Sequence, residues 1–120
     1  MSSHIVFVAV VCASVCVSQQ VKVWDGDTVW VDEAKYRLAG FDAPEYSDPK
    51  CKTERDLAIR ARERLAELLQ TNRFSIHRTG ERSYGRTVAA FRLEDGRAIE
   101  QIMVQEGLAK AVRKFTAWCD

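Results

Sequence analysis

Apolar and polar residues alternate along the stretch VKVWDGDTVWV, on both sides of Asp25 and Gly26. Alternation with a period of two is typical of strands that bury one face. An Asp-Gly pair between two such runs is a strong signal for a tight hairpin turn, because both residues tolerate the positive φ that these turns need. The sequence therefore predicts a β-hairpin at this point, and a third strand over residues 35–38.

A helical repeat replaces the alternation between Thr53 and Gln70. Apolar residues recur every three or four positions, and Arg and Glu residues fill the opposite face. Thr53 is the expected N-cap, and Asp56 lies three residues further on, where an acidic side chain supports a cap. The apolar stripe consists of Leu57, Ala61, Leu65, Leu68 and Leu69.

Two more strands and a short helix are predicted in the last third of the chain. The segments RFSIHR and TVAAFRL have strand composition, and Asp95-Gly96 marks a turn into a short helix that ends at Gly107. We therefore predict a mainly β fold with helices: a five-stranded Greek-key barrel of the OB-fold type. The long helix lies between strands three and four, and the short helix follows strand five.

The first eighteen residues contain no Lys, Arg, Asp or Glu and are mostly apolar. They are too few to span a bilayer comfortably as a helix, which takes about 20 apolar residues. We predict a secretory leader over residues 1–18, processed after Ala13 or after Ser18. The alternative is a buried first strand, since residues 14–23 can also run extended. We expect residues 19–120 to form one domain that is secreted or periplasmic, monomeric, and without stable membrane association once the leader is removed.

Composition and cysteine content narrow the classes of function. The chain is 47% apolar and 29% charged, as in ordinary globular domains, and its net charge of +1 gives no general attraction to polyanions. An anionic partner must therefore be held by local clusters of charge. Removal of the leader after Ser18 would leave Cys51 and Cys119, an even pair that suits one disulfide in an oxidising compartment. Two buried free thiols are the alternative.

Candidate chemistry is concentrated in the loop after the third strand. Asp42 and Glu45 follow Arg37 closely, and Pro44 lies between the two acids. Proline restrains its own φ and biases Ala43 away from helical geometry, so the loop presents the two acids at different depths. Each acid alone would be interpreted as a solvated loop residue or a helix cap. The arginine alone would be interpreted as a surface ion pair.

Several segments resemble the staphylococcal nuclease (thermonuclease-like) family, and they occur in the order found in that family. None is specific by itself, but their joint occurrence is a strong signal. The resemblance implies an OB-fold, calcium-dependent nuclease that cleaves single-stranded or locally opened DNA and RNA. The matching segments are DGDTV, YRLAGFDAPE, YGR, the Asp95-Gly96 pair and GLAK.

The resemblance also implies a calcium site. Asp27 and Asp42 would ligate Ca²⁺ through their carboxylates, and Ala43 would contribute its backbone carbonyl. Calcium is a hard ion that prefers such oxygens and leaves room in its flexible shell for water and a phosphate oxygen. Taken alone, Asp27 would be an ordinary hairpin residue.

Catalytic roles follow from the same resemblance. Arg37 and Arg86 would hold the scissile phosphate, because the planar guanidinium can donate two parallel hydrogen bonds and stays charged. Glu45 would activate the attacking water, and Tyr84 would support the substrate phosphate. Positive charge near the phosphate is required because an anionic phosphodiester otherwise repels a nucleophile.

The sequence departs from the family pattern at four places. One is the C-terminus, which is short at Trp118-Cys119-Asp120, where the family usually continues into another helix. Ala43 stands where the family commonly has threonine, and Ser83 stands where a lysine often assists phosphate binding. The aromatic residue that follows GLAK is displaced, which leaves Phe115 as the expected substrate-binding ring. The alternative function is a catalytically silent OB-fold module that binds nucleic acid or a protein. A structural, calcium-stabilised domain is a weaker third possibility.

Overall fold

The computed structural model describes residues 4–111 and 118–119. In chain order, the strands and helices of these residues are β1 Ile5–Cys12, β2 Cys16–Asp25, β3 Thr28–Val31, β4 Ala34–Leu38, β5 Phe41–Asp42, α1 Lys52–Thr71, β6 Phe74–Ser83, β7 Arg86–Leu93, α2 Ile99–Gln105 and β8 Lys110–Ala111. No helix in these ranges has both the length and the apolar character needed to cross a membrane.

Six strands close into a barrel in the order β1-β2-β3-β4-β7-β6. Most neighbours are antiparallel, and the β1–β6 and β4–β7 pairs are parallel. Strands β5 and β8 form a separate antiparallel pair, in which Asp42 lies opposite Lys110. The predicted OB-type fold, mainly β with two helices, is confirmed.

The barrel has one strand more than the five predicted, which correspond to β2, β3, β4, β6 and β7. The additional strand β1 lies inside the stretch predicted as a leader and pairs with β2 from Ile5↔Val23 to Cys12↔Cys16. It buries Phe7, Ala9 and Val11. Its outward positions are also apolar, so the alternation that identifies a strand is missing from its sequence. The leader itself stays a prediction.

Helix α1 covers the barrel with the predicted apolar stripe, and Leu65 and Leu69 are fully buried. The prediction that Thr53 is its N-cap is wrong. Cys51 is the N-cap residue, and its Sγ accepts a hydrogen bond from the Glu54 N–H at 3.4 Å. Cys51 also forms a disulfide with Cys119. The predicted capping acid, Asp56, instead pairs with Lys52 on the helix surface.

Candidate active site

The turn between β2 and β3 packs tightly against two other segments. Gly26 does not have the positive φ that the sequence predicted for this turn. A Cβ atom added there would lie 2.7 Å from the Ala43 Cβ and 3.0 Å from the Ala61 Cβ. Glycine is therefore required by the close approach of the acidic loop and of helix α1. This contact brings Ala43 against the hairpin turn.

Asp27 links the hairpin turn to the acidic loop. Its Oδ2 accepts a hydrogen bond from the Ala43 N–H at 2.9 Å, and its Oδ1 accepts one from the Thr28 hydroxyl at 3.1 Å. Its backbone carbonyl accepts a third from the Leu38 N–H at 2.9 Å, at the end of β4. The carboxylate is buried and held in a single orientation.

The Arg37 guanidinium lies between two carboxylates. Its Nη2 is 2.5 Å from the Asp42 Oδ1 and 3.5 Å from the Asp27 Oδ2. Its Nη1 donates to the Leu38 carbonyl at 2.6 Å. Because both carboxylates approach the same nitrogen, the two acids converge on one point where a positive charge is stabilised.

Arg86 approaches the same corner from strand β7. Its Nη1 donates to the Thr28 Oγ1 at 3.0 Å, and its Nε and Nη2 donate to the carbonyl and hydroxyl of Ser83 at 2.9 and 3.1 Å. Thr28 pairs with Arg37 across the β3–β4 ladder. The two arginines therefore lie on either side of Thr28. Ser83 orients Arg86 by accepting two of these hydrogen bonds.

A cleft of about 480 Å³ opens beside Arg86, and Glu45 lines it. Glu45 is exposed, and its Oε2 accepts a hydrogen bond from the Ser47 hydroxyl at 3.3 Å. Tyr84 also lines the cleft. It is 96% exposed, in the left-handed backbone conformation of the β6–β7 turn, with φ of 51°. Both side chains are therefore accessible to a ligand in the cleft.

Glu54 is a supporting residue that the sequence did not reveal. Its buried carboxylate accepts hydrogen bonds from the Glu45 N–H at 3.2 Å and from the Lys50 N–H at 2.7 Å. It therefore ties the acidic loop to the first turn of α1. An acid in the first turn of a helix, close after a functional loop, is the signal that would have found it.

Asp25 is a second residue missed by the sequence analysis. It is buried, and its Oδ1 accepts a hydrogen bond from the Asp27 N–H at 3.2 Å. Burial, and then the neighbouring charge of Asp27, raise the pKa of Asp25 to about 8. Asp25 is therefore mostly protonated at neutral pH. Two acids on one tight turn, as in Asp-Gly-Asp, are the sequence signal that one carboxylate can raise the pKa of the other.

The donor set fits an open cation site. In the ranges 4–111 and 118–119, no three His, Cys, Asp or Glu side chains lie close enough together to hold a metal ion. The carboxylates of Asp27 and Asp42 converge on the Arg37 Nη2, and Ala43 lies against Asp27. Two carboxylates and a carbonyl suit a calcium ion whose remaining ligands are water and substrate. They do not form a closed protein cage.

Most of the predicted site residues meet in this region. Hydrogen bonds and ion pairs, some of them through Thr28 and Ser83, connect a first group of five residues into a continuous network. Two further residues, the second group, line the adjoining cleft. Phe115 lies outside the described residues. The first group is Asp27, Arg37, Asp42, Ala43 and Arg86, and the second is Glu45 and Tyr84.

A small OB-type barrel with two carboxylates and two arginines at one corner defines a protein with a nuclease-like fold. The family model for staphylococcal nuclease homologues matches residues 35–119, and the chain belongs to this family. The match includes the acidic loop and both arginines, whereas the hairpin turn with Asp27 precedes it. A comparison with curated proteins found no match.

Proposed function

We propose that the protein is a calcium-dependent nuclease that hydrolyses phosphodiester bonds of DNA, RNA or both. The observation that supports this most strongly is the convergence of two carboxylates and two arginines on one corner of the barrel, beside a cleft that contains Glu45. Membership of the family supports a nuclease-like fold. The activity, the metal and the roles of individual residues are our inference.

Arg86 is the residue best prepared to bind the phosphate. It lines the cleft, and its present partners, Thr28 and Ser83, are neutral. The Thr28 hydroxyl is a neutral acceptor, whereas a phosphate oxygen carries negative charge and is also attracted to the guanidinium by Coulomb energy. A phosphate oxygen can therefore replace the Thr28 hydroxyl at Nη1 with a gain in energy.

Arg37 differs because its present partners include two carboxylates. It can turn to a phosphate only when the charges of Asp27 and Asp42 are balanced by another cation. Asp27, Asp42 and the Ala43 carbonyl would hold calcium, which supplies that charge and polarises the phosphate when bound. Arg37 would then contribute to stabilising the charge that builds on the phosphate oxygens.

Glu45 is the proposed proton acceptor. Its exposed carboxylate lines the cleft together with Arg86. The attacking water gives one proton to Glu45, and its oxygen bonds to phosphorus. The bond from phosphorus to the leaving oxygen breaks, and that oxygen takes a proton from solvent. Ser47 orients the Glu45 carboxylate by donating to its Oε2.

Nicking of supercoiled plasmid and cleavage of labelled single-stranded DNA and RNA test this proposal. We expect cleavage with Ca²⁺, no cleavage in excess chelator, and less with Mg²⁺, which demands tighter octahedral geometry. Full cleavage in chelator would refute the metal assignment. No cleavage of any of these substrates with Ca²⁺ would refute the nuclease proposal.

A catalytically silent binding module is the second candidate, and one observation favours it. The terminal nitrogens of Arg37 and all three guanidinium nitrogens of Arg86 already donate hydrogen bonds within the protein. Such arginines stabilise a loop arrangement without any catalytic role. Tight binding of an oligonucleotide, with no cleavage of it in Ca²⁺, would establish this alternative.

We also propose that the protein is secreted or periplasmic. Cys51 and Cys119, which either predicted cleavage leaves in the chain, form a disulfide, and disulfides persist in oxidising compartments. Processing after Ala13 or Ser18 would remove all of β1 and would break the Cys12–Cys16 bridge, whereas a retained β1 would keep the barrel six-stranded. The intact mass of the exported protein tests the leader, because a mature form that retains Met1 would refute it.

A further inference from the structure

The outer face of the barrel carries an aromatic residue between two lysines. Trp30 pairs with Lys22 of β2 on one side and with Lys35 of β4 on the other. Directly paired residues of antiparallel strands project to the same face of the sheet, so these three side chains form a row. The Lys35 Nζ lies 4.7 Å from the centroid of the Trp30 ring. We call Lys22, Trp30 and Lys35 the Trp30 row.

Further rings gather beside the Trp30 row. Trp24 lies at an irregularity in the β2–β3 pairing, where a side chain can be re-aimed. The His4 ring is 5.2 Å from Trp24 and 4.9 Å from Trp30, and Trp24 meets Tyr46 edge-on at 5.5 Å. Both indoles are only half-buried, although the chain fills its core with other apolar residues. Core packing therefore does not account for these two tryptophans.

The tryptophans line the cleft that contains two of the candidate catalytic residues. Trp24, Trp30 and Lys35 border the same 480 Å³ as Glu45 and Arg86. Pockets for small ligands have volumes of about 300–1,000 Å³, so this cleft can hold a planar ring system against the indoles. A group that stacks there has its attached phosphate within the same cleft as Arg86.

Three cations lie close to the aromatic rings, in a cleft that is also lined by Asp25 and Glu45. Burial and then the charges of Lys22, Arg62 and Lys35 lower the pKa of His4. These three cations therefore lie near the ring that touches both indoles, and all three stay in the chain if the proposed leader, which contains His4, is removed. A positive groove with exposed aromatic faces is how proteins bind single strands without sequence preference, because every base has a π-face.

We propose that Trp24 and Trp30 stack on a base of a single-stranded nucleic acid whose adjoining phosphate contacts Arg86. Lys22 and Lys35 hold the flanking phosphates. Bases inside a duplex are stacked on their neighbours and cannot offer a face, so this site selects single-stranded or opened segments. That the bound strand is also the substrate rests on the proposed function, whereas the stacking needs no cleavage.

Binding of a labelled single-stranded oligonucleotide in excess chelator tests the site. Loss of one stacking ring costs about 1–3 kcal/mol per base, so Trp30→Ala should weaken Kd about 5- to 150-fold. Trp30→Phe keeps a π-face and should bind nearly as well as wild type. Ile59→Ala, on the partly exposed surface of α1, is the matched control and should leave Kd unchanged.

Binding of an abasic oligonucleotide of the same length is a second test. It uses the wild-type protein, so it does not depend on whether a variant folds. The wild-type protein should bind the abasic strand more weakly, by a factor at least as large as that of Trp30→Ala, because the abasic strand loses its contacts with both tryptophans. The double variant Trp24→Ala/Trp30→Ala should bind the normal and abasic strands equally. Equal wild-type affinity for the two strands, no wild-type binding of either, or wild-type affinity in a folded Trp30→Ala protein would each overturn the proposal.

Cleavage kinetics in Ca²⁺ separate this inference from the nuclease proposal. Trp30→Ala should raise KM and leave kcat nearly unchanged, because stacking acts equally on substrate and transition state. Base-dependent binding without any cleavage would refute the nuclease and leave the stacking site supported. Cleavage by a wild type that binds normal and abasic strands equally would refute the stacking site alone.

Discussion

Replacing Asp25 with asparagine should change how the stability of the protein depends on pH. Asparagine has the same shape and keeps an oxygen that can accept the Asp27 N–H, but it cannot ionise. The buried position of Asp25 beside a second carboxylate is the cause of its shifted titration. Asp25→Asn should therefore behave as a permanently protonated form of the side chain.

The sign and size of the effect follow from proton linkage. The pKa of Asp25 rises from its ordinary value of 3.8 to about 8 in the folded protein. Between these values the folded state keeps a proton that the unfolded chain has lost, so wild-type stability falls as pH rises. The slope is about 1.4 kcal/mol per pH unit. Over the whole interval the loss is about 6 kcal/mol, comparable to the entire stability of many small domains.

Urea unfolding from about pH 5 to about pH 9, in chelator, measures this difference. Asp25→Asn should gain stability relative to wild type as pH rises, and the gain should level off above about pH 8, where the folded wild type has also lost the proton. Asp32→Asn is the control with the same chemical change. Hydrogen bonds from Gln19 and Gln20 lower the pKa of Asp32, so its effect should be constant over this range. Parallel stability curves for Asp25→Asn and wild type would show that Asp25 is ionised when folded.

Three further substitutions test the site. Glu45→Gln should lower turnover about 10²- to 10⁴-fold by removing the proton acceptor, with calcium affinity unchanged; wild-type turnover would exclude Glu45 from the mechanism. Arg86→Lys should lower kcat about 10²- to 10³-fold at saturating substrate, because lysine loses the guanidinium fork. A small loss that grows with salt would instead mean that Arg86 only attracts the polyanion. Arg82→Lys, near the end of β6, is the control for this substitution. Gly26→Ala should destabilise the protein by about 1–3 kcal/mol in urea unfolding, because its Cβ would meet Ala43 at 2.7 Å; an unchanged midpoint would contradict the close packing.

Periodicity along the chain was enough to predict most of the barrel. The alternation on both sides of Asp25-Gly26 and the leucine stripe of α1 depend on neighbouring residues, so they are visible without a structure. The order of strands and helix then limited the fold to the OB type. The site region followed from family motifs, and the structure joins Asp27, Arg37, Asp42 and Arg86 through hydrogen bonds and ion pairs.

Other features depended on contacts between residues far apart in sequence. Strand β1 is apolar on both faces and shows no period, so only its pairing with β2 reveals it. Strands β5 and β8 are two residues each and exist only because they pair with one another. The disulfide expected between Cys51 and Cys119 forms, but only the structure shows that Cys51 is also the N-cap of α1. None of these contacts leaves a pattern within a short window of sequence.

The chemistry of the site shows the same division. The sequence determined which charged groups are available, because residue type sets the charge and the hydrogen-bonding capacity. Only the tertiary structure decided that Asp25 is buried beside Asp27, that Arg37 joins two acids, and that Trp24 and Trp30 share a cleft with Arg86. Burial and distance set the pKa of a carboxyl and the energy of an ion pair, and both are properties of the packed molecule.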